Sequence, residues 1–464
     1  MARAKKETAL TPEERLQAAL VPDCECPYKL SGNWCWTKIG SISSLHRGVS
    51  YKKTDAHTER RENSCLVMRG GNICEGSIDT EADNIYVDIS LVAENQIVRK
   101  NDIIIVASTG STKVIGRAGI SKMDYLDVAF GAFLLLVRPS TKVNQRYIDY
   151  FFLSDNYRNR IKKLASGINI NNIRGEYITE TLVPLAPLAE QQRIVDRIES
   201  LFAKLDEAKE KAQAVVDSFE TRKAAILHKA FTGELTAKWR EEHGVGMESW
   251  EKKSVGELCI SLKYGTAKKS DASGNVVVLR MGNLQQGEID WSDLAYSNDP
   301  DDIEKYKLFP GDVLFNRTNS AALVGKTAIY RGEHPAIYAG YLIKLDYDHD
   351  KIIGDYLNYA LNTLDAKKYC NSVKTDGVNQ SNINAKKIGA YSFNVPSIPE
   401  QEKIVSVIQK LLLKEQQSKE AAEAVLDQID LMKKSILARA FRGELGTNDP
   451  SEESAVELLK RTIL

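Results

Sequence analysis

The chain contains the same long segment twice, and the second copy begins about 210 residues after the first. Residues 190–235 align with residues 400–445 without a gap, and nearly half of the aligned pairs are identical. Both copies open with Glu-Gln, continue to Ile-Val and close on Ala-Phe-x-Gly-Glu-Leu. A duplicated chain tends to fold as two similar units related by approximate two-fold symmetry. We therefore expect a pseudo-two-fold internal repeat.

Each copy of the repeated segment has the pattern of a long helix. In the first copy apolar residues recur at steps of three and four, with Arg222 as the interruption. The second copy is polar in its middle, where Glu415 and Ser418 replace Leu205 and Ala208. The 3.5-residue period predicts a coiled-coil seam, and roughly 42 residues would form a rod of about 60 Å. Two helices that pack separately on their own domains are the alternative. We favour mutual packing, because each copy exposes a seam that the other can match.

The duplication extends into the regions that precede each helix. Residues 66–79 match residues 277–290, and both segments contain Arg-x-Gly-Asn followed by an apolar residue. Short β-branched or aromatic runs predict strands at residues 102–108, 132–139, 312–318 and 341–347. Helical patterns follow at residues 147–165 and 355–372. The fold class is therefore α+β, with two similar mixed domains joined by two long helices packed as an antiparallel coiled coil.

Composition is that of an ordinary globular protein. No apolar run in the 464 residues approaches a membrane span, and the N-terminus is charged rather than signal-like. The seven cysteines lack the spacing of a disulfide framework, so we expect reduced thiols and a cytoplasmic location. Cys24, Cys26 and Cys35 form a local cluster without a recognisable fourth ligand. We therefore favour plain thiols over a zinc site and expect no metal.

Recognisable catalytic motifs are missing from the sequence. We find no Walker-type phosphate loop, no Gly-x-Gly-x-x-Gly turn and no Asn/Asp-Pro-Pro-aromatic tetrapeptide of amino methyltransferases. The six histidines are scattered, and none stands in a catalytic arrangement. The net charge is zero, which predicts weak DNA binding by the chain alone and a partner that supplies positive charge. The pattern is typical of a protein that recognises a site rather than one that transforms it.

At this point the repeat resembles a known family. Two variable domains, each followed by a long helix with an EQ..IV start and an AFxGEL end, are similar to the specificity subunit of type I restriction-modification enzymes. The segments PLAEQQRIV, ILHKAFTGELTAKWR and ILARAFRGEL resemble its helical regions. LHRGVSYKK, SGININNI and DGVNQSNI resemble elements of its target-recognition domains. The likeness runs from about Leu30 to the end of the chain, whereas the first 29 residues match no pattern that we can place.

The resemblance implies a non-catalytic subunit that reads DNA. Each globular domain would read one half of a bipartite, asymmetric site, and the paired helices would set the spacer and dock two modification subunits. S-adenosylmethionine would bind those methyltransferase partners, while ATP and Mg would serve two restriction subunits; this chain would hold no cofactor. The alternatives are a coiled-coil scaffold protein and a stand-alone DNA enzyme with an unrecognised site. The expected domains are residues 1–29 (unassigned), 30–186, 187–240 (helical), 241–396 and 397–464 (helical, with the tail).

Polar loops with cations, amides and hydroxyls are the best candidates for DNA contacts, because these groups read base edges and phosphates. In the first domain we select Arg47, Lys52, Lys53, Ser111, Thr112 and Lys113; in the second, Lys263, Lys268, Lys269, Arg317, Asn319 and Ser320.

Positions shared by the two domains should favour phosphates, because domains that read different sequences must differ where they touch bases. Lys52-Lys53 and Lys268-Lys269 form such a shared pair. Arg317 with Asn319 is the better candidate for base reading, since the first domain has small residues there. We expect Asn169, Asn172, Asn379 and Asn382 to stabilise turns by bonding the backbone.

Overall fold

The computed structural model describes residues 11–165, 172–378 and 380–464. Its residues form two compact units. Unit 1 contains residues 1–211 and 425–464, and unit 2 contains residues 212–424. Each unit therefore contains one globular region together with parts of both long helices. Among the described residues, no helix combines the length and the apolar character that crossing a membrane requires.

Unit 1 is a mixed α+β fold, as the sequence predicts. Its first elements are α1 (Pro12–Ala19), β1 (Cys35–Lys38), α2 (Ile39–Ile42), β2 (Ser43–Arg47), β3 (Ser64–Met68), β4 (Ile73–Cys74), β5 (Ser77–Ile78) and β6 (Tyr86–Asp88). They are followed by β7 (Ile103–Val106), β8 (Ala118–Ile120), β9 (Val128–Phe130), β10 (Leu134–Pro139), α3 (Gln145–Phe152), α4 (Asp155–Ala165), α5 (Gly175–Thr179), β11 (Leu182–Leu185) and the long helix α6 (Leu188–Asp217), whose last residues belong to unit 2.

Unit 2 repeats this order from β12 (Glu251–Ser254) onward, with additional short elements. Its elements begin with α7 (Phe219–Phe231), α8 (Ala237–His243), β12 (Glu251–Ser254), α9 (Val255–Leu258), β13 (Cys259–Tyr264), β14 (Val276–Leu279), β15 (Leu284–Gln285), β16 (Glu288–Ile289), β17 (Tyr296–Ser297) and α10 (Pro300–Lys305). They continue through β18 (Val313–Asn316), β19 (Thr318–Asn319), β20 (Thr327–Ile329), β21 (Ala336–Tyr338), β22 (Leu342–Tyr347), α11 (Gly354–Leu361), α12 (Leu364–Val373), β23 (Thr375–Asp376), β24 (Ser381–Asn382), α13 (Ala385–Gly389) and β25 (Ser392–Val395). The long helix α14 (Ile398–Ala440) starts in unit 2, and its last residues, with α15 (Ala455–Ile463), belong to unit 1.

Three sheets have the same topology in the two units. Unit 1 has a four-stranded antiparallel sheet in the order β2-β10-β7-β8, and unit 2 has β13-β22-β18-β20. A three-stranded sheet accompanies each, β6-β3-β9 and β17-β14-β21, with its last two strands parallel. A two-stranded sheet, β1-β11 or β12-β25, leads into the long helix. The strands of these three sheets correspond one to one, as the duplicated motifs predict, and unit 2 has in addition a three-stranded sheet, β19-β24-β23.

Two of the predicted helices are interrupted in the structure. The segment expected at residues 147–165 forms α3 and α4, separated at Ser154, whose hydroxyl donates to the carbonyl of Phe151 (2.6 Å). The segment expected at residues 355–372 forms α11 and α12, and Thr363 caps α12 by accepting from the amide of Ala366 (3.2 Å). Hydroxyl side chains compete for backbone groups at helix ends, and the apolar periodicity does not register that competition.

The long helices pack against each other in antiparallel fashion within each unit. In unit 1, Ile194 and Ile198 near the start of α6 share a core with Leu437 and Ala440 at the end of α14. In unit 2, Leu227 and Ala230 at the end of α7 share a core with residues near the start of α14, namely Ile404, Val405 and Ile408. The first copy is interrupted at Ser218, between α6 and α7, whereas the second copy is one continuous helix.

The Glu-Gln pair at the start of each copy makes contacts that explain why it is repeated. Gln191 accepts the amide of Asn144 (2.9 Å) and Gln401 accepts that of Ile353 (3.0 Å), so each glutamine fixes the globular region of its unit to the helix. Glu400 accepts from Thr236 and Arg240, both just beyond the end of the first copy. The start of one helix therefore binds the segment after the other.

The corresponding Glu190 uses a different set of partners. Its carboxylate accepts from the amides of Thr447 (3.2 Å) and Asn448 (2.8 Å) and from Arg193 (2.5 Å). Burial opposes the charge, but these hydrogen bonds hold the pKa of Glu190 below its usual value. The residue stays ionised, so the contact is a charge-assisted one.

Residues 11–29, the described part of the N-terminal segment that the sequence left unassigned, are part of unit 1. Helix α1 packs against α15, and Ala19 lies in the core of the unit. The hydroxyl of Thr37 donates to the carbonyl of Ala19 (2.9 Å), and that of Tyr28 donates to Phe441 (2.7 Å). The segment thus covers the end of the second long helix.

Candidate nucleic-acid interface

One end of the four-stranded sheet in unit 1 collects most of the candidate residues. We call this end the sheet tip; in unit 1 it comprises Arg47 at the end of β2, residues 107–117 between β7 and β8, and Phe133 before β10. Strand register places them together, because Leu135 pairs with Arg47 and Leu134 pairs with Val106. Antiparallel neighbours bring the end of one strand beside the start of the next.

The candidate side chains of unit 1 are exposed and uncommitted. Arg47, Lys52, Lys53 and Lys113 are exposed, and in the described part of the chain none of them has a carboxylate at ion-pair distance. Ser111 and Thr112 are exposed as well. Lys52 and Lys53 lie further along the chain than the tip itself, at the start of a short 3₁₀ turn. Unit 1 thus offers four exposed cations that are available to contact phosphates.

A partly buried contact shapes the loop of the sheet tip in unit 1. Arg158 of α4 donates to the carbonyls of Ile115 (2.9 Å) and Lys113 (3.3 Å). Its guanidinium therefore fixes the backbone that presents Ser111, Thr112 and Lys113. No local pattern in the sequence predicts this role, because Arg158 lies about 45 residues away in a helix.

Two of the lysines selected in unit 2 are already paired with carboxylates. Lys263 donates to Asp346 (2.8 Å), and Lys268 donates to Asp299 (2.6 Å). Burial opposes ionisation of Asp346, but hydrogen bonds from Lys263 and Ser261 hold its pKa below the usual value. The hydrogen bond from Lys268 likewise lowers the pKa of Asp299. Both lysine charges are locally balanced, so these residues suit phosphates less well than the free cations of unit 1.

Lys269 remains exposed and has no ion-pair partner among the described residues. The structure also matches Lys269 with a different lysine of unit 1 from the one that the sequence comparison predicts. Gly48 and Gly265 both press against carbonyls at the turn that precedes β10 or β22, where a side chain would collide. With those glycines superposed, Lys52 corresponds to Lys269. The pair of lysines shared by both domains is thus reduced to one shared position.

Arg317 is the most organised candidate of unit 2. Its guanidinium carbon lies 4.7 Å from the centre of the Tyr264 ring, and its Nη1 donates to the carbonyl of Gly340 (3.3 Å). Nη2 lies 3.5 Å from the amide oxygen of Asn382. Nε is buried and has no acceptor in the described part of the chain. Stacking on an aromatic ring and these polar contacts fix the orientation of the guanidinium, a group that can hydrogen-bond to base edges.

The sheet tip of unit 2 is the corresponding end of the sheet β13-β22-β18-β20, and it comprises Tyr264 at the end of β13, residues 317–326 between β18 and β20, and Tyr341 before β22. It also contains amides and hydroxyls. Asn319 accepts the amide of Ser320 (2.8 Å), which turns the chain after β19. Asn382 donates to the hydroxyl of Thr318 (2.8 Å). The expectation that Asn382 bonds the backbone is therefore wrong, because its side chain bonds Thr318 and Arg317. Asn172 pairs with Ser108 through the backbone, whereas Asn169 and Asn379 lie outside the described residues.

The sheet tips contain two aromatic residues that sequence reasoning missed. Phe133 is 69% exposed and Tyr341 is 50% exposed. The carbonyl of Phe133 accepts the amide of Ala107 (3.0 Å), and that of Tyr341 accepts the amide of Arg317 (3.0 Å). The two residues thus occupy the same position in both units, next to the loop that follows β7 or β18. An exposed aromatic ring at this position can contact a base or a sugar.

Equivalent positions of the two sheet tips carry different residues. Arg317 occupies the position that Ala107 has in unit 1. The amide of Arg317 donates to the carbonyl of Tyr341 before β22, and the amide of Ala107 donates to that of Phe133 before β10. Arg47 occupies the position that Tyr264 has in unit 2. Arg47 pairs with Leu135, the second residue of β10, and Tyr264 pairs with Ile343, the second residue of β22. Each tip therefore combines an arginine with an aromatic ring, but from different strands. A shared framework with different side chains is what the reading of two different sequences requires.

The thiol cluster near the N-terminus shows no metal geometry. Among the described residues, no three histidine, cysteine, aspartate or glutamate side chains lie close enough together to hold an ion. All seven cysteines are free thiols. Burial raises the pKa of Cys35 to about 12, so its thiol stays protonated.

Comparison with known proteins agrees with this architecture. The family model described as type I restriction modification DNA specificity domain matches residues 32–216 and 247–424. The StySPI specificity subunit of Salmonella potsdam is 30% identical over 421 residues, covering 90% of each chain. The EcoKI specificity subunit of Escherichia coli is 30% identical over 426 residues, again covering 90% of each.

Solved structures show the same fold. The HsdS subunit from Thermoanaerobacter tengcongensis aligns with a TM-score of 0.59 at 19% identity, covering 91% of this chain and 100% of that one. A chain from a structure described as the basis of complex assembly and conformational transition of the type I R-M system aligns with a TM-score of 0.66 at 18% identity, over 90% and 100%. The family model matches most of the chain and does so twice. The protein belongs to the family of type I restriction-modification specificity subunits.

Proposed function

We propose that this chain is the DNA-sequence specificity subunit of a type I restriction-modification complex. Each unit reads one half of a bipartite, asymmetric site through its sheet tip. The observation that carries the proposal is the repeated framework with different side chains, Arg47 with Phe133 in one unit and Arg317 with Tyr264 in the other. Membership of the family supports it.

The long helices act as a spacer in this proposal. The antiparallel contacts within each unit support a coiled coil that continues from α6 and α7 along α14. Such a rod would fix the distance between two half-sites about one helical turn (roughly 34 Å) apart. Its outer faces would dock two modification subunits.

Catalysis belongs to partner subunits in this proposal, and the chain itself is not an enzyme. Two methyltransferase subunits would bind S-adenosylmethionine, and two restriction subunits would use ATP and Mg. The net charge of zero supports the division, because a neutral chain needs a partner to supply further phosphate contacts.

Single substitutions in unit 2 test the proposal in the complex assembled with its modification subunits. Arg317→Ala should relax the preference at one position of one half-site and cost about 1–3 kcal/mol there. Lys269→Ala should weaken binding to all sequences and lower the salt dependence by about one ion. Competition binding against a panel of DNA duplexes, each with one altered base pair, separates the two effects.

Lys263→Ala is the matched control, since Asp346 already balances that charge; it should change neither quantity by much. Equal losses at both half-sites for Arg317→Ala would contradict independent reading by the two units. Methylation of DNA by the isolated chain would contradict the non-catalytic role.

A further inference from the structure

A polar contact interrupts the apolar seam between the long helices in unit 2. Arg222 of α7 donates from Nε to Glu415 of α14 (2.5 Å), and the two side chains are 32% and 26% exposed. Arg222 also donates from Nη2 to the carbonyl of Val215 (3.1 Å) and from Nη1 to the hydroxyl of Ser218. It therefore spans the interruption of the first helix and ties it to the second.

The repeat makes this contact asymmetric. In the gapless alignment Arg222 corresponds to Met432, and Glu415 corresponds to Leu205. Ser218, at the interruption, corresponds to Gln428 inside the continuous helix α14. The charged pair occurs at one end of the helix repeat, and the corresponding positions at the other end are apolar.

Similar helices create a risk of wrong pairing. In two copies of this chain, the first helix of one could pair with the first helix of the other, and the second with the second. Arg222 would then meet Leu205 of the second copy, and Glu415 would meet its Met432. Each such meeting leaves a half-buried charge without its partner, which is unfavourable.

The other ion pairs between the helices do not discriminate in this way. Lys209 pairs with Asp430 (3.9 Å), and Lys433 pairs with Asp206 (2.5 Å). Glu220 corresponds to Asp430, and Lys223 corresponds to Lys433. Two first helices would therefore keep both pairs. Two second helices would keep a partner for Asp430, since Lys419 corresponds to Lys209, but they would place Lys433 opposite Gln416, which corresponds to Asp206. Among the ion pairs between the long helices in the described residues, the Arg222–Glu415 pair alone is lost in both kinds of self-pairing.

We infer that the Arg222–Glu415 pair selects pairing between the two helices of one chain and rejects pairing with a second copy of this chain. A single polar contact in an apolar seam is known to specify the partner of a helix. The inference concerns assembly of the chain and does not depend on which DNA it reads.

The test replaces Arg222 and Glu415 by the apolar residues found at the corresponding positions of the other helix copy, Met432 and Leu205. The full chain with Arg222→Met and Glu415→Leu keeps an apolar seam but no longer discriminates between partners. After refolding from urea, its dimer fraction measured by light scattering should rise about tenfold, equivalent to about 1.4 kcal/mol. Arg222→Glu alone should also raise the dimer fraction, and addition of Glu415→Arg should restore the monomer.

A disulfide reporter identifies the kind of dimer. Asp206→Cys with Lys223→Cys, in a background with exposed Cys24 and Cys74 changed to serine, should link two chains only when first helices pair with each other. The control double variant Lys209→Met with Asp430→Leu removes an exposed ion pair and should stay monomeric. Unchanged monomer in the Arg222→Met/Glu415→Leu and Arg222→Glu variants would overturn the inference, as would an equal rise in the control.

Discussion

Asp149 and Asn358 occupy the same helix position in the two units but differ in charge. Each lies between two tyrosines in the sequence of its helix, α3 or α11, and both are buried. The amide of Asn358 donates to the carbonyl of Gly287 (2.8 Å). Oδ1 of Asp149 has no donor in the described part of the chain, and Oδ2 accepts only from Arg146 (3.2 Å). Burial raises the pKa of Asp149 to about 7.

Asp149→Asn should therefore stabilise the protein above neutral pH. Because the pKa in the folded state exceeds the unfolded value of 3.8, folding is favoured by protonation. That stability is fully present below pH 3.8 and is lost as the pH rises toward 7. At pH 8 we expect the variant to gain on the order of 2 kcal/mol. Urea unfolding between pH 4 and pH 8 measures the difference.

The reciprocal substitution Asn358→Asp is the control for this argument. It places an acid at the corresponding position of unit 2, so its stability should fall as the pH rises. A flat pH profile for the difference between wild type and Asp149→Asn would show that Asp149 stays ionised in the folded protein.

At the scale of elements, the sequence predicts which segments form strands and helices, but not where the helices break or which seam residues contact each other. The strands at residues 103–106 and 313–316 follow from their β-branched and aromatic runs. The helix breaks at Ser154, Ser218 and Thr363 do not follow from apolar periodicity, because each depends on one hydroxyl bonding the backbone. The seam exceptions Arg222 and Glu415 were visible as separate anomalies. Only the antiparallel register shows that they are partners.

The Glu-Gln motif gives a prediction at the same scale. The carboxylate of Glu400 is 1% exposed, and Arg240 is 9% exposed beside it. Glu400→Ala would leave the buried guanidinium without a carboxylate to balance its charge, although Thr236 and the carbonyl of Gly233 would still accept from it, and should cost about 3–5 kcal/mol. Urea unfolding followed by circular dichroism measures the loss.

Glu190→Ala is the comparison variant, because its arginine partner is 35% exposed and can be hydrated; its cost should be smaller. The double variant Glu400→Ala/Arg240→Ala should recover part of the loss, since no lone charge remains. A cost below about 1 kcal/mol for Glu400→Ala would show that water replaces the contact.

At the scale of the whole molecule, duplication in the sequence was enough to predict two similar α+β units. It did not locate the sheet tips, because strand register brings together residues as distant in sequence as Arg47 and Phe133. It also did not distinguish free cations from paired ones: Lys263 and Lys268 look like Lys53 in the sequence, yet carboxylates from other strands and loops balance them. A local sequence pattern cannot predict an ion pair whose carboxylate comes from a distant segment.

The spacer role of the helices gives the last prediction. Insertion of one heptad into the first helix between Ala208 and Val215, and into the second between Ser418 and Val425, should lengthen the proposed rod by about 10 Å. Both insertions keep the seam pattern, so the ion pairs of each unit should survive. Methylation mapping of the assembled complex should then show an altered spacer with both half-sites kept, longer by about three base-pair steps of 3.4 Å. Insertion into one helix alone should instead disrupt the pairing and lower the melting temperature. An unchanged spacer in the double insertion would mean that the helices do not set the distance between half-sites.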